Sequence, residues 1–260
     1  MTHKRTKLSY ISLLVAVMLV LAACATDNTQ STESKQDPSL AVNTTVLQKC
    51  EDLGQEYIDS FIFIGESTTY HIKSRGVLKD GRDTKQVWAP KSGTINLDTT
   101  INTVKVIYPE TNSELTISQA AKEKQPTRVI LTFGLNGAVN KIKHGEEYFK
   151  SCYLSLINTI KEASPETVII IQSCFPISDN MDMTNYTVDV KTLNGYIDTI
   201  NSWSLSLATE HGLGYLNTQE ILRDKNGYLK SEYQAGDGYH LNALAYEEIL
   251  MYIRTHDFGE

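Results

Sequence analysis

Four short apolar runs constrain the fold more than any other feature of the chain: "FIFIG" at 61–65, "TRVILTFG" at 127–134, "ETVIIIQSCF" at 166–175 and "LGYLN" at 213–217. Their hydrophobicity is continuous rather than alternating, as expected of strands covered on both faces in a parallel sheet. Around them the periodicity predicts helices over about 46–58, 117–124, 145–163, 188–210 and 242–255. Ser164 and Pro165 close the third of these, and Asn242 stands where the last would need a cap. Strand and helix in series predict an α/β sandwich with right-handed crossovers. Residues 76–114 are less periodic and read as long loops with short strands near "QVWAP" and "VKVIYP". No repeat or internal boundary divides residues 46–260, which are expected to form one domain.

The first 24 residues differ in kind. Lys4, Arg5 and Lys7 precede an apolar run from Ile11 to Ala23 that ends at Cys24, the pattern of a secretory signal peptide. The run is about 13 residues, short of the roughly 20 that a membrane-spanning helix needs. "LAAC" at 21–24 resembles the bacterial lipobox, which implies cleavage before Cys24, a diacylglyceryl group on its thiol, and an extracytoplasmic protein held at the cell membrane by lipid. The plainer alternative is a secreted protein whose Cys24 is incidental. Residues 25–45 are polar and rich in Ser, Thr, Gln and Asp, so they read as a flexible tether. Removing the three basic leader residues changes 24 basic against 31 acidic side chains to 21 against 31, a net charge of about −10 that argues against a nucleic-acid partner. Cys50, Cys152 and Cys174 remain, an odd number without CxxC spacing; free, largely buried thiols are expected, with one disulfide as the alternative.

An open parallel sheet gathers its function beyond the carboxyl ends of its strands. Ser67 follows the first apolar run by two residues and opens a predicted helix, where its own N–H faces developing negative charge. A hydroxyl needs a base within about 3 Å, and the base needs an orienting acceptor. His240 in "AGDGYHLNALAY" is the leading candidate, because Asp237 precedes it by three residues between two glycines. His71, one helical turn after Ser67, is the rival base, although no carboxylate lies near it in sequence. Asn136 in "LTFGLNGAVN" follows a second strand and could donate to an oxyanion, with Gly134 allowing close backbone approach; the N–H of Gly93 in "APKSGTINL" is a further candidate donor. Taken singly, Ser67 is also a good helix cap, Asn136 a turn residue, and Asp237 with Gly238 an ordinary turn. Trp88, Phe175 and Tyr239 are candidate pocket walls that packing alone would equally explain.

Together, "GES" at Ser67, "SGT" at Gly93, "GLNG" at Asn136 and "DGYH" at His240 resemble, in chain order, the four blocks of the SGNH hydrolases, or GDSL-type esterases. The resemblance covers most of residues 60–245. It implies a three-layer α/β/α sandwich around a flavodoxin-like parallel sheet of about five strands, and a serine esterase using neither metal nor cofactor. Ser67 would be nucleophile, His240 general base and acid, and Asp237 its orienting carboxylate. The N–H groups of Ser67 and Gly93 and the Asn136 side chain would form the oxyanion hole. One residue departs from the pattern: Glu66 stands where the family usually has Asp, its extra methylene moving the carboxylate by about 1.5 Å. The turn is expected to adapt.

The expectation is a membrane-anchored esterase that removes short acyl groups, acetyl above all, from a carbohydrate or other acylated substrate. Two alternatives stay open: an acyltransferase with the same triad, and a non-catalytic carbohydrate-binding lipoprotein on a decayed scaffold. Phosphate-loop and metal chemistry are disfavoured, since "GLNGAVNKIKHG" lacks the Lys-Ser/Thr ending and "HGEEY" is no metal-binding helix motif.

Overall fold

The first apolar run pairs along its whole length with the second. β2 (Phe61–Gly65) lies parallel to β6 (Arg128–Thr132), with Phe61 opposite Arg128 and Gly65 opposite Thr132. A computed structural model describes residues 45–258, so the leader, Cys24 and the tether up to residue 44 lie outside it. β6 pairs parallel with β7 (Val168–Gln172), which pairs with β8 (Gly214–Leu216); on the other side β2 pairs with β3 (Val87–Trp88). The order β3-β2-β6-β7-β8 is, counted along the chain, 2-1-3-4-5, the flavodoxin-like doubly wound arrangement.

Alternate residues of the central strands feed two separate cores. Ile62, Ile64, Val129, Leu131, Ile169 and Ile171 pack on one face, Phe61, Phe63, Ile130 and Ile170 on the other, all buried. The first face is covered by α3 (Ile117–Lys124), α4 (Ala138–His144), α5 (Glu146–Ala163) and α6 (Val190–Glu210). The second is covered by α1 (Gly54–Asp59), α2 (Ser67–Arg75), α7 (Gln219–Leu222) and α8 (Ala243–Arg254). Burial on both faces explains why these strands read as unbroken apolar runs; each fully buried Phe or Ile contributes about 2 kcal/mol. The expected three-layer sandwich is therefore present.

Local chemistry sets the helix starts. Thr116 and Gln119 form a reciprocal capping box at α3, Asp189 accepts from Thr192 N–H at 2.7 Å at α6, and Asn242 accepts from Ala245 N–H at 3.1 Å at α8. A two-stranded antiparallel pair, β4 (Lys105–Tyr108) and β5 (Ser113–Thr116), lies within and just beyond the long loop region.

The helix expected over 46–58 begins only at Gly54. Val46 instead bridges parallel to Tyr215 at the open edge of β8, and β1 (Gln48–Lys49) pairs antiparallel with β9 (His256–Asp257). The unsatisfied strand edge outweighs the helical spacing of apolar residues there. Cys50, Cys152 and Cys174 are free, the latter two buried.

Candidate active site

Crossing direction reverses between β2 and β6, so the crevice past their carboxyl ends is where this topology places a ligand. Ser67 and Asn136 emerge there, after β2 and β6 respectively. Gly65 brings the two turns together, because a Cβ on it would lie 2.2 Å from Thr69 Oγ1 and 2.4 Å from the Thr132 carbonyl oxygen. Ser67 is the first residue of α2, not its cap; that position belongs to Glu66, whose carbonyl accepts from the N–H groups of Thr69 and Tyr70. The N–H of Ser67 lies in the first turn, where helices leave donors unpaired.

His240 arrives from the far end of the chain. Its loop is held by Ser178 N–H donating to the Gly238 carbonyl at 2.7 Å and by Ala235 N–H donating to the His240 carbonyl at 2.8 Å. Below it, Tyr246 of α8 donates its hydroxyl proton to the Thr68 carbonyl at 2.6 Å, tying α8 to the first turn of α2. His240 Nε2 thereby sits 3.0 Å from Ser67 Oγ, and its Nδ1 sits 2.6 Å from Asp237 Oδ2. Asp237 Oδ1 accepts the main-chain N–H groups of Tyr239 and His240 at 3.1 and 2.9 Å. Partial burial pushes the Asp237 carboxyl up, but these N–H groups and the imidazole outweigh it and hold the group below its ordinary range. A carboxylate fixed in this way leaves Nε2 free of its proton to accept from Ser67.

The rival base makes no hydrogen bond to Ser67, whose hydroxyl pairs with His240. His71 packs its ring 4.3 Å from that of His240, centroid to centroid, and its buried Nδ1 has no hydrogen-bond partner. Burial, then the neighbouring His240 and Arg75, lower its pKa to about 4, with Asp237 opposing. On His240 a second ring, Tyr239, lies at 4.0 Å.

Gly93 is brought to the same rim, where φ is +76° and a Cβ would meet the Tyr70 ring at 2.9 Å. Its N–H is not the free donor that was expected: it closes a turn to the Pro90 carbonyl at 2.9 Å. The neighbouring Thr94 Oγ1 accepts from Asn136 Nδ2 at 2.9 Å. Glu66 turns inward, its carboxylate accepting from the N–H groups of Gly134 and Asn136, each at 2.9 Å. Burial pushes this carboxyl up in pKa, opposed by the Lys141 charge and the surrounding N–H donors. Lys141, itself buried, donates to the Asn136 carbonyl.

Two open clefts flank Asn136, sharing it with Gly137 and Asn140. One, of about 350 Å³, has Asn96, Asp98, His144 and Tyr148 in its walls; the other, of about 470 Å³, has Asn185, Tyr186, Thr187 and Tyr239. Of the expected pocket walls only Tyr239 lines a cleft, while Trp88 and Phe175 are buried in the two cores. Among the described residues no three His, Cys, Asp or Glu side chains converge to hold a metal ion.

The sequence model of the GDSL-like lipase/acylhydrolase family matches residues 63–248, a span that starts within β2 and ends within α8. The chain belongs to that family. Among curated protein sequences none matches it. Solved structures similar to this GDSL-family chain include a GDSL-like lipase from Bacteroides thetaiotaomicron, 16% identical over 77% of this chain and 89% of that one, with a TM-score of 0.48. A putative acylhydrolase from Bacteroides fragilis is 15% identical over 74% and 83%, TM-score 0.49. The lipopolysaccharide acetyltransferase periplasmic domain of Salmonella ser. Paratyphi A is 18% identical over 75% and 81%, TM-score 0.46.

Proposed function

We propose that this GDSL-family chain is a serine esterase hydrolysing short acyl esters, acetyl above all, on a carbohydrate. One observation carries the reading: His240 bridges Ser67 at 3.0 Å and Asp237 at 2.6 Å through its two ring nitrogens. Ser67 Oγ attacks the ester carbonyl as its proton passes to His240 Nε2, and the carbonyl oxygen becomes an oxyanion. Collapse breaks the bond to the alcohol oxygen, which takes the proton from His240. Water then attacks the acyl-Ser67 ester, its proton passing through His240 back to Ser67, and the free acid leaves. Ser67 N–H and the second amide hydrogen of Asn136 are the donors for the oxyanion; Gly93 N–H joins them only by leaving Pro90. The wall of the smaller cleft, with Asn96, Asp98 and Asn140, supports a hydroxyl-bearing substrate, while Leu135, Val139 and Leu193 give the larger cleft an apolar side.

The same proposal places the protein outside the cytoplasm, lipid-anchored through Cys24 with residues 25–45 as its tether, supported by the leader pattern. The purified protein is expected to release p-nitrophenol from p-nitrophenyl acetate, with Ser67→Ala slower by on the order of 10³-fold or more. Equal rates for variant and parent would remove the nucleophile from the account.

A further inference from the structure

Every polar group of Asn136 that the fold engages is held by a different part of the rim. Its N–H donates to Glu66 at 2.9 Å, its carbonyl accepts from Lys141, and its side-chain amide donates to Thr94 at 2.9 Å. The other Glu66 oxygen takes Gly134 N–H, two residues earlier. Glu66 is 1% exposed and Lys141 6%, and such residues are almost never buried unpaired. The two do not touch: each bonds main-chain groups of the loop after β6, and Lys141 acts on Glu66 only through its charge. Stability alone does not account for keeping two buried charges, which are costly to desolvate. Direction is what they add. With N–H and C=O both fixed, the main chain at 136 cannot rotate, and the Thr94 contact fixes one amide hydrogen so that the other points elsewhere.

The carboxylate also belongs to the residue before Ser67. We infer that Glu66 and Lys141 form a clamp that fixes the distance between the nucleophile and Asn136, so that the Asn136 amide is already in place when the oxyanion forms; the inference rests on the esterase reading. Both are positioning residues, acting through Asn136 rather than on the reacting atoms. The Glu at position 66 follows from this geometry: its longer side chain spans from the turn after β2 to the N–H groups of the loop after β6. Preorganised donors strengthen catalysis because no reorganisation is needed during reaction, so loosening one lowers turnover more than substrate binding.

A mutant cycle tests this with p-nitrophenyl acetate. Lys141→Met is expected to lower kcat on the order of 10–100-fold with KM within about twofold. In an Asn136→Ala background the same substitution is expected to change kcat by less than about twofold, because the group it positions is gone. Equal losses in both backgrounds, a loss carried by KM, or an unchanged kcat would each overturn the clamp. Should thermal melting show that Lys141→Met does not fold, Glu66→Gln, which keeps the side chain's size and one acceptor for the two N–H groups but loses the other, enters the same cycle under the same criteria. Absence of turnover in the parent would overturn the esterase reading and the clamp with it; an active parent with additive losses overturns the clamp alone.

Discussion

Asp237 holds His240 at two points, taking its main-chain N–H at 2.9 Å with one carboxylate oxygen and its ring Nδ1 at 2.6 Å with the other. Both orientation and tautomer of the imidazole thus depend on one side chain. Asp237→Asn keeps the shape but offers Nδ1 an amide donor or a neutral acceptor, and kcat for a short ester is expected to fall on the order of 10²–10⁴-fold. Steady-state kinetics on the variant checks this, and a loss under tenfold would remove Asp237 from the triad.

His71 makes the fold acid-sensitive. Its pKa in the folded chain is about 4 against an unperturbed 6.5, so the unfolded chain binds the proton first and stability falls as pH drops from 6.5 through 4. The full displacement corresponds to about 3 kcal/mol, which screening of the half-exposed ring reduces to about 1–2 kcal/mol. His71→Gln is expected to flatten this part of the profile. Denaturant titrations at pH 7 and pH 4 for both proteins measure the difference.

The buried bond from Tyr246 to the Thr68 carbonyl couples the helix behind His240 to the turn that carries Ser67. Tyr246→Phe is expected to cost about 1 kcal/mol of stability, the net worth of one such bond. If the coupling sets the 3.0 Å approach of His240 to Ser67, kcat falls as well while KM holds. Urea unfolding with parallel kinetics reads both quantities.

Gly65 has no room for a methyl group, with Thr69 Oγ1 and the Thr132 carbonyl both inside 2.5 Å of a Cβ position. One contact is a short side chain and the other is backbone of the neighbouring strand, which cannot retreat without breaking the β2–β6 register. Gly65→Ala is expected to destabilise by about 3 kcal/mol, at the upper end for overpacking. A melting temperature equal to the parent's would mean that the strands do not approach this closely.

The central sheet was legible because its strands are buried on both faces, which leaves unbroken apolar runs such as 61–65 and 168–171 in the sequence. Ser67 and Asn136 were legible as residues just after strand ends, and Asp237 with His240 from an i, i+3 spacing in a glycine-flanked loop that matches an observed contact. Edge pairing was not: Val46 and Leu47 look helical until β8 offers an open edge. The β5 strand "SELT" is too polar and exposed to register. Lys141 was missed because a lysine in "NKIKHG" reads as a solvated helix face, and nothing local says that its ammonium turns in toward residue 136. The turn that occupies Gly93 N–H has a signal in Ser92-Gly93, with glycine at the fourth turn position, but that signal does not say that the glycine's own donor is consumed by the Pro90 carbonyl.

The central claim is that Ser67 is an activated nucleophile, and a fluorophosphonate probe addresses it without knowledge of the substrate. Mass spectrometry of the labelled, digested protein is expected to place one phosphonyl adduct on the peptide that carries Ser67, absent from Ser67→Ala. No adduct on the parent, or an adduct on another serine with Ser67 untouched, would contradict the account.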